Sequence, residues 1–517
     1  SVTSKQITLY LSEQSGFDVS FDYQATDVTA TGGGTDYALP DGSVTIPAGD
    51  TTGTFSVSVT DDTDKEPNEF VELSIDNITN ANPGSLTSTQ LVITDNDGLG
   101  IMGPGGVGSF SGGEIDTWLD TYQSDNLEDG DDVKGSASSE RWIDETGNGH
   151  DAYQATAANR PVFWRLSPTW NGNPLIDFKS YEEQYLVIDD NEAMNTDDDA
   201  QSERTIITVF RTGDDIENRQ VVYEEGGGTR GLNMYIEHDS LYIGGWNYAE
   251  SSWDYTSVRY KIKTNTPYFA IMQFDYETNN AISGFLNGEL KVLEGGGLLY
   301  PHGDDIGIGA MNGGSCFDDG CGGDASYFDG FIAEFISGRT VYNSAQQKII
   351  NNYLAAKYNV DLPAGLDLYD YDLGHHGEVI GIGQDSISSN HLAAQGSGII
   401  KINNASNVGD GKYMFIGHND DSIAAWSNSE VPGNDANIYR VQREWRVDKQ
   451  GGDMGAVDLH VDTSRFAGMP AGFNDYIIMV DDDGDFTSGA TVTKLTYTGQ
   501  GYFTSPDIDF DKGDHFT

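Results

Sequence analysis

Val19-Ser20-Phe21-Asp22-Tyr23, Phe55-Ser56-Val57-Ser58-Val59 and Val71-Glu72-Leu73-Ser74-Ile75 alternate apolar and polar side chains with a period of two. Successive side chains of a strand point to opposite faces, so each run makes a strand with one face for a core and one for water. Phe17 extends the first run backwards by the same rule. Thr31-Gly32-Gly33-Gly34 and Pro47-Ala48-Gly49-Asp50 punctuate these runs at the spacing of a sandwich of short strands. Residues 1–98 therefore read as one all-β unit. Ile7, Leu9 and Leu11 already alternate at the start, with no basic and apolar leader ahead of them, which suits a chain beginning inside a longer precursor.

The same grammar continues outward. Residues 99–113, with Met102-Gly103-Pro104-Gly105-Gly106, hold no periodic run and read as a Gly-rich linker. From 114 to 360, strand-like runs such as Thr205 to Phe210 and Phe331 to Ile336 alternate with Asp, Asn and Gly. This segment ends in the best helix of the chain: Ser344 with Gln347 suggests a capping box, and Ile350, Tyr353, Leu354 and Tyr358 share a stripe. The stripe predicts a helix on the exterior of a sandwich. Residues 361–517 return to strands. In Tyr439 to Val447 the alternation places Arg443 on the apolar face, so a buried ion pair is expected, or an edge position where it reaches water.

Composition narrows the function. Lys and Arg total 27 against 83 Asp and Glu, a net charge of −56; nucleic acid is excluded as the main partner, because a phosphate backbone is neutralised by basic clusters. No stretch of 18 apolar residues exists to span a membrane. Glycine at 64 of 517 residues is about 12%, against an average near 7%, which favours many turns. No H-E-x-x-H, G-x-S-x-G or P-loop is present, and His375-His376 stand as a lone pair. The literal G-x-G-x-x-G matches at Gly98 and Gly226 open no helix and bind no dinucleotide. Catalysis has no anchor, and the reading is of a non-enzyme.

Carboxylates gather at strand ends and loops of the first unit: Glu13, Asp36, Asp61, Asp62, Glu66, Asp95 and Asp97. Left together they repel; a Ca2+ ion takes six to eight oxygens and removes that penalty. A solvated acidic loop set is the alternative. Asp481, Asp483 and Asp485 offer a second Ca2+ site, although Val492 stands where an EF-hand has Glu, and a plain Asp-Gly turn is the competing reading. Trp246, Tyr248, Trp253, Asp254 and Tyr255 place aromatic faces among polar groups in an expected loop, an arrangement suited to capturing sugar or peptide; otherwise the rings fill the core of two strands. His302, Asp304 and Asp305 read as a neighbouring polar loop or a surface turn. Cys316 and Cys321 flank a loop short enough for a local disulfide in an oxidising compartment.

Val19 to Tyr23, Gly34-Thr35-Asp36-Tyr37, Asp61-Asp62-Thr63-Asp64-Lys65-Glu66-Pro67-Asn68-Glu69 and Ile93-Thr94-Asp95-Asn96-Asp97 together resemble a Calx-beta domain. The resemblance implies an immunoglobulin-like sandwich that binds Ca2+ at one end through the seven carboxylates named above. Asn96 stands where some relatives carry a third Asp. Trp118-Leu119-Asp120, Trp142 to Ala152, Asn171-Gly172-Asn173-Pro174, Phe328 to Glu334 and Tyr353 to Tyr358 resemble a LamG-like, concanavalin A-like jelly roll with one C-terminal helix. Gln442 to Val447 and Val480 to Phe486 are similar to a little-characterised β domain that follows such modules, here a third β-sandwich.

The resemblances imply an all-β, Ca2+-dependent bacterial adhesin or cell-surface binding protein. It would be extracellular, and would belong to a larger surface protein or filament. Its partner would be a surface glycan or protein ligand, held most naturally in the LamG-like segment. The alternatives are a secreted enzyme acting on marine polysaccharide, or its binding module, and a purely structural filament component.

Overall fold

The computed structural model describes residues 2–27, 30–60, 69–84, 87–93, 103–108, 110, 114–124, 126–135, 138–165, 170–196, 200–249, 252–276, 281–323, 325–396, 398–499 and 501–517. Strands dominate it. The chain divides into two compact units. The first is Ser1–Gly100 with Val461–Ser464 and Thr496–Thr504, and the second is the remainder.

In the first unit, Gly42–Ile46, Val19–Asp27, Glu69–Thr79 and Ser88–Ile93 form one antiparallel sheet in that order, and Val2–Tyr10, Thr52–Thr60 and Tyr37–Ala38 form another. The period-two pattern works as read: Val19, Phe21, Val57, Val71 and Leu73 are all buried. Tyr23 stacks on Phe55 with ring centroids 4.2 Å apart, joining the two sheets. Phe17 departs from the expectation. It lies before the strand, in a Ser15-centred turn, and is exposed; alternation predicts a face only where the backbone is extended.

The second unit is built on two facing sheets. One has the order Glu289–Glu294, Ala281–Leu286, Pro267–Asp275, Glu203–Thr212, Gly330–Gly338, Leu175–Phe178, Val162–Trp164, with Thr117–Asp120 also paired to Gly330–Gly338. The other has the order Leu186–Ile188, Ile306–Ile308, Gln220–Gly227, Arg230–Glu237, Ser240–Asn247, Trp253–Lys261. Trp142, Phe178, Ile206, Phe210, Leu232, Met234, Ile243, Met272 and Phe335 belong to the core between them. Glu203–Thr212 is covered on both sides, which explains why Ile206, Ile207, Val209 and Phe210 do not alternate with exposed polar residues. Ile206 and Phe210 join that core, while Ile207 and Val209 join a second one.

The second core holds the helix α1, Ser344–Tyr358, together with Val379, Tyr413 and Phe415. The capping box sits one residue earlier than expected. Asn343 is the N-cap, accepting from the Ala345 and Gln346 N–H groups, and the Gln346 side chain accepts from the Asn343 N–H. The helix is not a one-sided exterior helix: Ala345, Ile349, Ile350, Leu354, Ala355 and Ala356 are all buried. The strands Gly377–Ser386 and Lys412–His418 help to cover it. They belong to a seven-stranded sheet that continues through Trp445–Gln450, His515–Phe516, Ile477–Asp481 and Thr491–Lys494, with Ser389–His391 at the other edge. Residues 103–108 of the stretch expected as a linker are buried, and the Gly106 carbonyl meets His391 Nε2 at 2.8 Å. A Cβ on Gly106 would come within 2.7 Å of Ala394; the glycines there serve close packing.

The strand expected from Tyr439 begins only at Trp445. Arg443 precedes it, donating to the Asp421 carbonyl at 2.9 Å and lying 3.8 Å from Glu378. No helix among the described residues is long and apolar enough to cross a membrane.

Candidate functional site

Of the seven first-unit carboxylates, Asp61, Asp62, Glu66, Asp95 and Asp97 lie outside the described residues. Asp36 closes a turn: its Oδ2 accepts the Thr31 N–H at 2.6 Å, and its carbonyl accepts the Thr60 N–H at 2.9 Å. The other carboxylate oxygen, Oδ1, is buried and has no hydrogen-bond partner among the described residues. An anionic oxygen held out of water without a donor fits a hard cation. Glu13 is exposed in the bend between the first two long strands.

The aromatic run is not a loop, which corrects the expected ligand site. Trp246 is the penultimate residue of the strand Ser240–Asn247 and Trp253 begins Trp253–Lys261; both are buried. Trp246 donates to the Gly227 carbonyl at 2.9 Å and covers Gly231, where a Cβ would come within 2.8 Å of the ring. Trp253 lies in the core facing Phe274, and Tyr255 donates to Asn233 at 3.2 Å. Only Tyr248, in the connecting turn, and Asp254 are exposed. Packing claimed the rings because their strands are internal to, or pair with, the six-stranded sheet. Cys316 and Cys321 form a disulfide across the hairpin Ser315–Phe317 and Gly320–Gly322, and Phe317 packs with Tyr235 and Tyr242. His302 is buried, 3.8 Å from Glu225, rather than exposed in a turn.

A shallow polar cleft opens elsewhere in the second unit, lined in part by Asp120, Tyr122, Gln123, Lys357, His376, Glu378 and Asp420. Its floor is ionic. Lys357 Nζ, on α1, donates to Asp120 Oδ2 at 2.7 Å, to Glu334 Oε2 at 3.0 Å and to the Tyr353 hydroxyl at 2.8 Å. Glu334 also accepts from Trp118 Nε1 at 2.7 Å, Tyr353 at 3.1 Å and Tyr358 at 2.8 Å. Burial pushes the Asp120 carboxyl up to about 6, against the pull of Lys357 and with the help of Glu334. Burial works to lower Lys357, but Asp120 and Glu334 outweigh it and raise the ammonium above its ordinary value.

The cleft's rim carries paired donors and acceptors. Tyr122 donates to Asp420 Oδ1 at 3.0 Å, and Gln123 donates to Glu378 Oε1 at 3.3 Å. His376 lies 3.1 Å from Asp420, and His418 Nε2 lies 3.0 Å from Glu378. Burial alone would raise Asp420; His376 and His418 hold it well below the usual carboxylate range. Such a rim can exchange its own pairs for a ligand's hydroxyls and excludes apolar groups.

Trp118, Asp120, Glu334, Tyr353, Lys357 and Tyr358 all fall in the sequence stretches that carried the resemblance to a LamG-like domain, and here they meet in one buried cluster. Asp144, another, accepts from the Trp118, Thr146 and His150 N–H groups. Tyr122, Glu378 and Asp420 had no sequence signal, because hundreds of residues separate the first from the others.

At the Asp481 turn the structure gathers a different set from the one expected. Oxygens of Asp481, Asp482 and Asp483 lie within 4.8 Å of one another. Asp485 turns away to accept from the Thr487 N–H and hydroxyl at 3.1 and 2.6 Å. Asp481 Oδ1 accepts the Asp483 and Gly484 N–H groups, while Oδ2 is buried without a partner among the described residues. Burial, and then Asp483, raise its pKa.

Residues 2–97 match the Calx-beta domain family, and residues 346–514 match a domain of unknown function, DUF8202. Calcium binding defines the first family, and Ca2+ is accordingly the cofactor of the first unit. Among curated proteins none matches the chain.

Solved structures that resemble it do so distantly. Domain 4 of an extracellular arabinanase from Geobacillus stearothermophilus, in complex with arabinotriose, shows 12% identity and a TM-score of 0.28 over 44% of this chain and 92% of that one. The CBM40 of a Ruminococcus gnavus IT-sialidase, bound to sialyllactose, shows 16% identity and a TM-score of 0.23 over 31% and 91%. The botulinum neurotoxin serotype D binding domain shows 10% identity and a TM-score of 0.31 over 77% and 96%.

Proposed function

We propose that this chain is a Ca2+-dependent extracellular binding protein of the adhesin type, displayed at a bacterial cell surface and acting by binding rather than turnover. Its parts are a Calx-beta module over 1–98, a LamG-like jelly roll over 114–360 and a companion β domain over 361–517. The observation that carries the reading is the Calx-beta match over 2–97, joined to the buried, partnerless Asp36 Oδ1. Glu13, Asp61, Asp62, Glu66, Asp95 and Asp97 complete the ligand set of this proposal. The Asp481 turn, with Asp483 and with Asp482 in place of Asp485, is its second cation site. When bound, the ion cancels carboxylate repulsion at the end of the sandwich; Asp36 holds one oxygen ready for it through the Thr31 bond.

The ligand site moves with the structure. Trp246 and Trp253 are committed to packing, so a hydroxyl-rich ligand, a glycan, is assigned to the polar cleft bordered by Tyr122, Glu378 and Asp420. Thermal melting with Ca2+ and with excess EDTA tests the cation. Ca2+ at 100 times its dissociation constant adds about 2.7 kcal/mol to the first unit, and a melting point unmoved by chelation refutes it. A glycan array with Asp420→Ala as the control tests the cleft; equal binding by both proteins, or by neither, refutes the assignment.

A further inference from the structure

The lone histidine pair of the sequence, His375-His376, is split by the fold. His376 joins Asp420 at the cleft, while His375 turns towards His515, 140 positions away. The two rings, His375 and His515, lie with centroids 5.1 Å apart at 78°. Glu444 Oε2 stands 3.8 Å from His515 Nδ1. One ligand atom from each of His375, Glu444 and His515 lies within 4.8 Å of the other two.

Their hydrogen bonding is incomplete in a telling way. His375 Nδ1 and Nε2 and His515 Nδ1 are all buried without a hydrogen-bond partner among the described residues. Buried polar atoms are nearly always satisfied, and an imidazole excluded from water needs an acceptor for its N–H and a donor or a metal for its lone pair. One nitrogen from each of two imidazoles, gathered with one carboxylate, is an arrangement that a metal ion resolves and a hydrophobic core does not.

We propose that His375, Glu444 and His515 bind a first-row divalent transition-metal ion. Two imidazoles and a carboxylate suit Zn2+ and its neighbours, whereas Ca2+ and Mg2+ prefer all-oxygen shells. The donor set thus differs from the all-oxygen calcium sites, and the inference does not rest on the proposed function, although His515 stands directly across the ladder from Asp481. Tetrahedral Zn2+ with bonds near 2.1 Å sets its ligands about 3.4 Å apart, so the side chains close by little more than an ångström. Three protein ligands leave a fourth position for water or an incoming donor.

The supports of these ligands are already in place. His515 sits in a strand paired on both sides, opposite Arg446 and Asp481. The His375 carbonyl accepts from the Tyr369 hydroxyl at 2.7 Å, and its N–H donates to the Tyr371 carbonyl at 3.1 Å. Arg440 holds Glu444 Oε1 at 2.5 Å and leaves Oε2 facing the histidines. The neighbouring Arg446 guanidinium is drawn over the Tyr371 ring at 3.8 Å. Outer partners of this kind orient metal ligands.

The test uses the full chain, stripped with EDTA and returned to saturating Ca2+ so that oxygen sites are filled. Zn2+ is titrated by calorimetry, and Co2+ by its visible absorption, into the native protein, His375→Gln and His515→Gln. His375→Gln lies in a loop; an unchanged melting point in Ca2+ confirms its fold, and His515→Gln repeats the measurement in the strand. The expected result is one Zn2+ per chain, weakened more than about 100-fold in each folded variant, beyond the 10- to 100-fold loss typical of an outer partner. The Co2+ bands should vanish in the same variants. Native protein that binds Zn2+ no more tightly than the folded variants overturns the assignment.

Discussion

Lys357→Met removes the one ammonium that donates to both Asp120 and Glu334, leaving two carboxylates that are 1% and 0% exposed. Breaking a buried ion pair from one side costs about 3–5 kcal/mol, because the remaining carboxylates keep neutral donors, from Trp118, Tyr353 and Tyr358 to Glu334 and from the Tyr122 N–H to Asp120, but lose their compensating charge. The cost depends on pH with a definite sign. The Asp120 carboxyl is pushed up from 3.8 to about 6 by burial, opposed by Lys357 and aided by Glu334. A raised folded pKa means that the folded state keeps a proton that the unfolded state has lost. This contribution is fully present below pH 4 and fades as pH rises through 6, a decline of about 3 kcal/mol. Without Lys357 the folded pKa rises further, so the decline extends towards neutrality and the variant loses more at pH 8 than at pH 5.

Urea unfolding followed by tryptophan fluorescence at pH 5, 6.5 and 8 measures this, since Trp118 donates directly to Glu334. Lys357→Met/Asp120→Asn should recover at least about 1 kcal/mol relative to the sum of the single variants, as directly coupled sites are not additive. A Lys357→Met loss below about 1 kcal/mol at pH 8, or one equal at all three pH values, would refute the reasoning.

Trp253→Ala should destabilise the second unit by about 3–5 kcal/mol as a core truncation, read as a lowered denaturation midpoint; near-native stability would show that the ring is not core. Replacing Cys316 and Cys321 together by Ser opens a loop with a sequence separation of 5, worth about 2 kcal/mol of unfolded-state entropy, seen as a melting shift that dithiothreitol reproduces in the native protein. Asp481→Asn should abolish the Ca2+-dependent gain in stability of the second unit, as followed by differential scanning calorimetry. A gain that survives the substitution would mean that the turn holds no cation.

Much of the fold was legible because strand alternation is local. Val19, Phe21, Val57, Val71 and Leu73 declare their buried face within a few residues, and α1 showed its apolar positions and a capping signature one residue out of place. The carboxylates at Glu13, Asp36, Asp61, Asp62, Glu66, Asp95 and Asp97 raised the question of a counter-ion by charge alone; of these, Glu13 and Asp36 lie among the described residues. Trp246 and Trp253 misled because composition alone does not say which side of a strand will be covered. Whether a ring stacks on a ligand or on Phe274 depends on the sheet that arrives opposite it.

By itself the sequence determined the strand periodicity, the charge excess and the Calx-beta signature over the first hundred residues. Only tertiary structure decided that Asp120, Glu334 and Lys357 form one ionic cluster, that Tyr122 meets Asp420, and that His375 meets Glu444 and His515. Each of these groupings spans tens to hundreds of residues. Side chains so distant along the chain carry no mutual spacing; they become neighbours only when sheets and helix pack, and burial then turns ordinary polar groups into ones that must find a partner.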